Sequence, residues 1–217
     1  MGTRHLCAAV IDGDFKIAQY GQWDGYPSGQ GITVLSFAST LADPAARAQF
    51  EERLRKCSWI SEDEIQESWV DCGAPVGAQY VDMDIANLHS QRYPHLSRDA
   101  GGTIFGLVAA APDGLKLEDS RTFAQDSLLC EWAWVLDLDN NLLEAYRGFN
   151  TGNPTPAGRF AYLNEGGRDA AGGSKYYPVD LIGTWPLDAL PSEAEFLAYF
   201  KGKDGDEEEE EPAAVEA

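Results

Sequence analysis

The chain is poor in positive charge. It has 16 Lys and Arg residues against 36 Asp and Glu residues, which gives a formal net charge of −20. Eight of the acidic residues follow Lys203, and without them the net charge would still be −12. Because a protein that grips a nucleic-acid backbone needs a basic face, this composition argues against direct nucleic-acid binding. It favours a partner with a basic surface.

Long apolar runs are also missing, and the first residues contain no apolar signal-peptide core. A membrane-spanning helix needs about 20 mostly apolar residues, and a secretory signal needs an apolar run of its own. The sequence therefore predicts a cytoplasmic protein without a membrane partner.

Cysteine and histidine are too few and too scattered to form a metal site. The four cysteines form no C-x-x-C pair, and no histidine lies at ligand spacing from them. This pattern favours reduced, buried thiols over a disulfide framework or a zinc site. Alternation in the strand predicted around Cys130 places Cys130, Trp132 and Trp134 on one face, where we expect the two tryptophans to be buried. Cys130 would need a nearby base to act as a nucleophile, and the sequence places none beside it. The segment 137–141 loosely matches a calcium loop, but the required glycine and closing glutamate are absent.

The glycine-rich segment 29–34 is superficially similar to a nucleotide-binding loop. Its third glycine is missing, no βαβ unit follows it, and it has no lysine for a phosphate-binding loop. We therefore predict no cofactor.

What is present is enough apolar material for a substantial core, since 44% of the 217 residues are hydrophobic. Alternation and turn signals predict strands at 6–11, 15–19, 115–117, 122–123, 128–138, 142–146 and 179–185. Helical spacing and capping residues predict helices at 32–41, 44–56, 62–70, 81–91, 102–111 and 193–200. Because the strands fall near both ends and the helices in the middle, the fold class is α+β with a largely antiparallel sheet. We expect one domain over 1–200, with 150–174 as loop, and a disordered acidic tail over 201–217.

The segment 20–31 is the most informative stretch of the chain. It combines aromatic rings, hydrogen-bonding side chains and glycines, which is more than a plain turn needs. We predict that its side chains line a ligand site; these are Gln22, Trp23, Asp24, Tyr26 and Gln30. The start of the helix after Gly31 could also hold an anion on its backbone N–H groups. The alternative interpretation is a glycine-rich turn held by the packing of Trp23 and Tyr26.

Arg98 is the candidate handle for an anionic ligand, because a guanidinium can grip a carboxylate or phosphate at two points. It lies in the segment Ser97-Arg98-Asp99. The alternative interpretation is an internal ion pair, with Asp99 capping the next helix.

Several of these segments together resemble one uncharacterised family of intracellular proteins from bacteriophages, bacteria and fungi. The matching segments are Met1-Gly2-Thr3-Arg4, Gln22-Trp23-Asp24-Gly25-Tyr26-Pro27, Gly29-Gln30-Gly31, Ser97-Arg98-Asp99, Cys130-Glu131-Trp132 and Asp137-Leu138-Asp139. The resemblance covers about residues 1–148 and implies no catalytic residue. A weaker likeness is to N-terminal-nucleophile hydrolases, which need Cys, Ser or Thr as the first mature residue; here Thr3 would become first only after processing.

Three functions remain open on the sequence. The first is a domain that binds a small molecule or peptide near the segment 20–31, with Arg98 as the anionic handle. The second is a hydrolase that acts on an amide or a nucleotide-derived metabolite. The third is an acidic interaction protein that blocks a partner, and a contiguous acidic face would be its sign.

Overall fold

The computed structural model describes residues 2–166, 168–169 and 175–201. Nine β-strands lie within these residues: β1 His5–Ile11, β2 Asp14–Gly21, β3 Ser58–Trp59, β4 Lys116–Leu117, β5 Trp132–Asp137, β6 Leu142–Arg147, β7 Arg168–Asp169, β8 Lys175–Tyr176 and β9 Asp180–Pro186. The same residues form six α-helices: α1 Ile32–Thr40, α2 Pro44–Lys56, α3 Glu62–Asp71, α4 Met83–Arg92, α5 Ile104–Ala110 and α6 Glu193–Lys201. This confirms the α+β class. The predicted disordered tail lies outside the described residues, apart from Lys201, which ends α6.

The central sheet has five strands in the order β2–β1–β5–β6–β9. The β1–β2, β5–β6 and β6–β9 pairs are antiparallel, whereas β1 and β5 are parallel. The largely antiparallel character is therefore confirmed. The sequence signals did not predict that the N-terminal hairpin joins the C-terminal strands through β1, so that β1 lies inside the sheet and β2 at its edge.

Local signals explain where most helices begin. The Asp43 carboxylate accepts the Ala45 N–H at the start of α2. Ser61 and Glu64 form the reciprocal bonds of a capping box at α3. Such caps satisfy N–H groups that have no partner inside the helix.

Both faces of the sheet are buried. One face packs against helices around Trp132, Trp134 and Leu136. The opposite face carries Ala133 and Val135 and is covered by 3₁₀ turns and loop segments. The prediction that Trp132 and Trp134 share a buried face is confirmed.

Cys130 lies in the opposite cluster from these tryptophans, so its predicted place on their face is wrong. The strand begins only at Trp132. The preceding residues form a turn, in which the Leu129 and Cys130 N–H groups donate to the Asp126 carbonyl, and this turn breaks the alternation. The predicted strand at 122–123 is also wrong, since Arg121–Gln125 is a 3₁₀ turn. All four cysteines are free and buried, as predicted.

A buried charge cluster fixes the loop before residue 166 to the sheet. The Arg159 guanidinium donates to both carboxylate oxygens of Glu144, at 2.7 and 2.8 Å, and also to Asp137. The Tyr146 hydroxyl donates to Glu144 at 2.7 Å. Asp137 and Glu144 are both buried, so Arg159 supplies the positive charge that makes their burial tolerable.

Candidate functional site

The site is a cavity of about 440 Å³ at the edge of the sheet. Its walls come from the end of β2, from α4, and from the loop that contains Ser97 and Arg98. This loop is fastened to the edge strand, because the Gln22 N–H donates to the Arg98 carbonyl at 3.0 Å. The Gln19 side-chain amide donates to the Ser97 carbonyl at 3.1 Å. The edge strand and the loop therefore form one continuous wall.

Gln19 is the most unusual residue of this wall. Its side chain is 4% exposed, and its Nε2 donates to the carbonyls of Ser97 and Tyr20. These two acceptors fix the amide orientation, since a flipped amide would place Oε1 against two carbonyl oxygens. Oε1 itself is buried and has no hydrogen-bond partner among the described residues. A buried acceptor without a hydrogen-bond partner lowers the stability of the fold by about 1–3 kcal/mol. A donor that reached this atom would remove that cost.

Charged groups of both signs line the same cavity. Glu118 is half-buried, and burial raises the pKa of its carboxyl. Arg98 and Asp99 are exposed at the cavity wall. Neither makes an ion pair with a residue that the structure describes, and the Asp99 N–H donates to the Ser97 hydroxyl. The alternative interpretation, an internal ion pair of Arg98 with Asp99 capping the next helix, is therefore wrong, because no side chain caps the turn that follows.

A stacked pair of rings also lines the cavity. Trp69 and His89 have ring centroids 3.7 Å apart, with planes inclined by 6°. His89 Nε2 lies 2.8 Å from the Ser68 hydroxyl, which donates to the Ile65 carbonyl. Because the Ser68 proton is used in this way, His89 must donate to Ser68 and does not act as its base. The pair is therefore structural in this arrangement, and it supplies a flat apolar wall.

Two of the buried thiols, Cys7 and Cys130, are not activated nucleophiles either. Burial raises the pKa of Cys7 and of Cys130 above the usual range. The nucleophile in cysteine chemistry is the thiolate, so neither group is set up to react. The hydrolase hypothesis stays a prediction.

The residues predicted from the segment 20–31 lie beside the cavity and do not line it. Of the six predicted ligand-binding residues, Arg98 alone is among the cavity-lining residues. The side-chain oxygen of Gln22 accepts a hydrogen bond from the Tyr20 hydroxyl at 2.5 Å, and its backbone N–H donates to the Arg98 carbonyl. Gln30 Oε1 accepts the Gly102 N–H at 2.7 Å, and its Nε2 donates to the Trp23 carbonyl. Gln22 and Gln30 thus join the segment to the loop of Arg98.

The aromatic side chains of the segment face solvent. Trp23 is 46% exposed and Tyr26 is 40% exposed, and the Tyr26 hydroxyl donates to Asp24 at 3.0 Å. These exposures do not fit a turn held by the packing of the two rings. The segment is instead held to the core by a hydrogen bond, since the indole N–H of buried Trp134 donates to the Gly25 carbonyl at 2.9 Å.

The predicted anion site at the start of α1 is wrong. The helix is preceded by a π-helical turn, Pro27–Gly31. In this turn the N–H groups of Gly29 and Gly31 donate to the Tyr26 carbonyl, and that of Gln30 donates to the Asp24 carbonyl. These donors are therefore already used. Gly29 is required here because a Cβ atom would lie 2.2 Å from the Asp24 carbonyl oxygen.

His5 lies beneath the segment and was missed by the sequence analysis. It is 1% exposed, and neither ring nitrogen makes a well-formed hydrogen bond with a described residue. The pKa of His5 is lowered to about 4, because the effect of burial exceeds the opposing effects of the Thr3 carbonyl and the Asp24 carboxylate, which raise the pKa. Its imidazole packs on Gly21, where a Cβ atom would lie 2.1 Å from the ring.

Gln19 and Glu118 were also missed. Gln19 is a polar residue in a predicted strand, and nothing local marks it as buried. Glu118 follows a two-residue strand, and its neighbours in sequence do not indicate a cavity. Only the docking of the loop of Arg98 on β2 brings the three residues to one site.

Comparison with known proteins gives no match. No protein-family model matches the chain, and no curated protein or solved structure is significantly similar to it. The resemblance of residues 1–148 to a phage, bacterial and fungal family therefore stays a prediction. The described residues contain no group of three or more potential metal ligands. No helix among them combines the length and the apolar character that crossing a bilayer requires.

Proposed function

We propose that this is a cytoplasmic binding protein for a small molecule, which occupies the cavity between Gln19, Arg98 and Glu118. The ligand carries an anionic group and at least one N–H or O–H donor. The observation that supports this proposal most is that the cavity is lined by Gln19, whose buried Oε1 has no hydrogen-bond partner among the described residues.

Each polar group has a role that follows from its chemistry. Oε1 of Gln19 is covered in this conformation, and it accepts a hydrogen bond from the ligand after the side chains that cover it move, because its own amide N–H groups are occupied. Arg98 pairs with a carboxylate or phosphate, as expected for a guanidinium without an ion-pair partner among the described residues. Glu118 accepts a second ligand donor when ionised and can donate when protonated.

The size and lining of the cavity suit a metabolite. Ligand pockets usually measure about 300–1,000 Å³ and combine apolar walls with a few convergent polar groups. The volume of about 440 Å³ falls in this range. The stacked Trp69 and His89 rings give one flat wall, and Leu96 and Met83 contribute apolar surface.

The test is a binding screen with melting temperature as the readout. The compounds are amino acids, short carboxylic acids and nucleotides at millimolar concentration, because a ligand at 100 times its dissociation constant stabilises the folded state by about 2.7 kcal/mol. For a hit, Arg98→Gln should weaken binding by about tenfold or more, since a hydrogen bond to a charged group contributes about 1.5–3 kcal/mol.

Arg55→Gln is the matched control, because Arg55 is exposed and pairs with Asp12 away from the cavity. It should leave the dissociation constant unchanged. Glu118→Gln should alter the affinity for a ligand that carries an amine. A hit whose affinity is the same in the wild type, Arg98→Gln and Glu118→Gln would contradict the proposal, and so would a screen in which no anionic compound stabilises the protein.

A further inference from the structure

A second surface, which shares Met83 with the Gln19 cavity, exposes apolar side chains around α3 and α4. Val76 is 87% exposed and Tyr80 is 90% exposed in the connection between these helices, and Met83 is 75% exposed at the start of α4. Val70 and Leu88 are also exposed. We call these five residues the α3–α4 face. Soluble proteins rarely leave large apolar patches uncovered unless they form interaction sites.

The face is shaped to receive side chains. A hollow of about 410 Å³ is lined by Glu67, Val70 and Val76, together with Gln66 and Asp71. A second hollow of about 240 Å³ is also lined by Gln66, and the two therefore adjoin. Anchor side chains of a partner commonly fill hollows of this kind.

The charge around the face is predominantly negative. No Lys or Arg occurs between Lys56 and Arg92, whereas seven acidic residues do. Glu64 pairs with Lys116, and Asp71 pairs with Arg92. The other five make no ion pair with a described residue; these are Glu62, Asp63, Glu67, Asp82 and Asp84. A partner would therefore meet a strongly negative rim.

We propose that the α3–α4 face docks a basic amphipathic segment of a partner protein. Its apolar side chains would fill the two hollows, and its Lys or Arg side chains would face the acidic rim, which is the usual complementarity at such interfaces. The same charge disfavours two other occupants. A second copy would bring two acidic rims together, and the C-terminal 204–216 region carries eight acidic residues. The inference does not depend on the proposed small-molecule site.

The test is a selection of displayed peptides on the full-length protein. The expected result is enrichment of peptides with Lys or Arg on one helical face and apolar residues at i, i+3, i+4 and i+7 on the other. For a synthetic copy of an enriched peptide, the double variant Val76→Ser/Tyr80→Ser should raise the dissociation constant by about tenfold or more. Truncation of central anchor residues commonly has this effect. Met83 is left unchanged, since it also lines the Gln19 cavity.

The matched control is Phe149→Ser/Tyr162→Ser, which removes two exposed apolar side chains that are not part of the α3–α4 face and leaves the charge unchanged. It should change the affinity by less than about twofold. Folding of each variant is checked by its melting temperature. Glu62→Gln/Glu67→Gln should weaken binding and reduce its salt dependence.

Three outcomes would overturn the proposal. One is enrichment of neutral or acidic peptides. Another is equal peptide affinity in the wild type and in Val76→Ser/Tyr80→Ser. The third is a concentration-dependent dimer, seen by sedimentation, that this double variant abolishes, because the occupant would then be a second copy of the chain.

Discussion

Replacing Arg159 by Met tests whether the buried charge cluster holds the covering loop on the sheet. Met keeps much of the apolar stem but removes the guanidinium, which leaves the Asp137 and Glu144 carboxylates without their cation. The side-chain exposures are 17% for Arg159, 2% for Asp137 and 9% for Glu144, so solvent can replace the lost charge only in part. Breaking a buried ion pair from one side costs about 3–5 kcal/mol. Because Arg159 is slightly exposed, we expect about 3 kcal/mol.

The assay is urea unfolding at pH 7, with the free energy of unfolding extrapolated to water. A loss of about 3 kcal/mol is a large part of the 5–15 kcal/mol that stabilises a typical domain. The double variant Arg159→Met/Glu144→Gln should be more stable than Arg159→Met alone, since one uncompensated charge is gone. A double-mutant cycle measures this coupling.

The pH dependence gives a second readout. Although burial alone would raise the pKa of Asp137, bonds from Asn140 and the charge of Arg159 lower it overall. A carboxyl with a depressed pKa stabilises the fold above its unfolded pKa, and this contribution is lost as the pH falls through its folded value. The difference between wild type and Arg159→Met should therefore shrink below about pH 4. A loss of less than about 1 kcal/mol at pH 7 would show that the cluster behaves as a solvent-screened surface pair, and the reasoning would be refuted.

Two further predictions concern His5 and Trp134. The pKa of His5 is lowered to about 4, so the neutral side chain makes its full contribution to stability above pH 6.5, and this contribution falls by about 3 kcal/mol as the pH drops to 4. Denaturant unfolding measured from pH 7 to 4 should show this loss in the wild type but not in His5→Gln. Equal pH dependence in the two proteins would contradict the prediction. Trp134→Ala should cost about 3–5 kcal/mol. Trp134→Phe keeps one six-membered aromatic ring but loses the rest of the indole and its bond to the Gly25 carbonyl, and it should cost less, about 1–3 kcal/mol. Thermal and urea unfolding measure both, and a fully stable Trp134→Ala protein would rule out a central role for this ring.

Local signals in the sequence were sufficient for most elements. Asp43 and Ser61 mark helix starts through bonds to their own neighbours in the chain, so their effect can be read without a fold. The strand predicted at 122–123 failed because Thr and Phe favour strands in general, whereas here the chain turns after Ser120, whose N–H donates to the Ala18 carbonyl of β2. That contact joins residues about a hundred positions apart, and periodicity contains no information about it.

The candidate site was harder to predict for the same reason. The segment 20–31 was recognised by its composition, but the cavity beside it depends on Gln19, Arg98 and Glu118. The burial of Gln19 follows from the docking of the Ser97 carbonyl on its amide, and Glu118 comes near through the parallel bridge between Ala18 and Asp119. Of the predicted ligand-binding residues, Arg98 alone lines the cavity, and it was noticed because a guanidinium stands out in an acidic chain.

The position of β1 inside the sheet has a consequence for the newly synthesised chain. β1 can pair with β2 at once, but its other edge waits for β5, whose first residue is 127 positions later, as the His5–Trp132 pair shows. At about 5–20 residues per second, the ribosome needs roughly 6–25 s to make this stretch. During that time the hairpin presents an open row of backbone N–H and C=O groups on an apolar strand, which is a template for pairing with another chain. Expression at a slower translation rate should therefore increase aggregation of nascent chains, and a chaperone that covers exposed strands should reduce it.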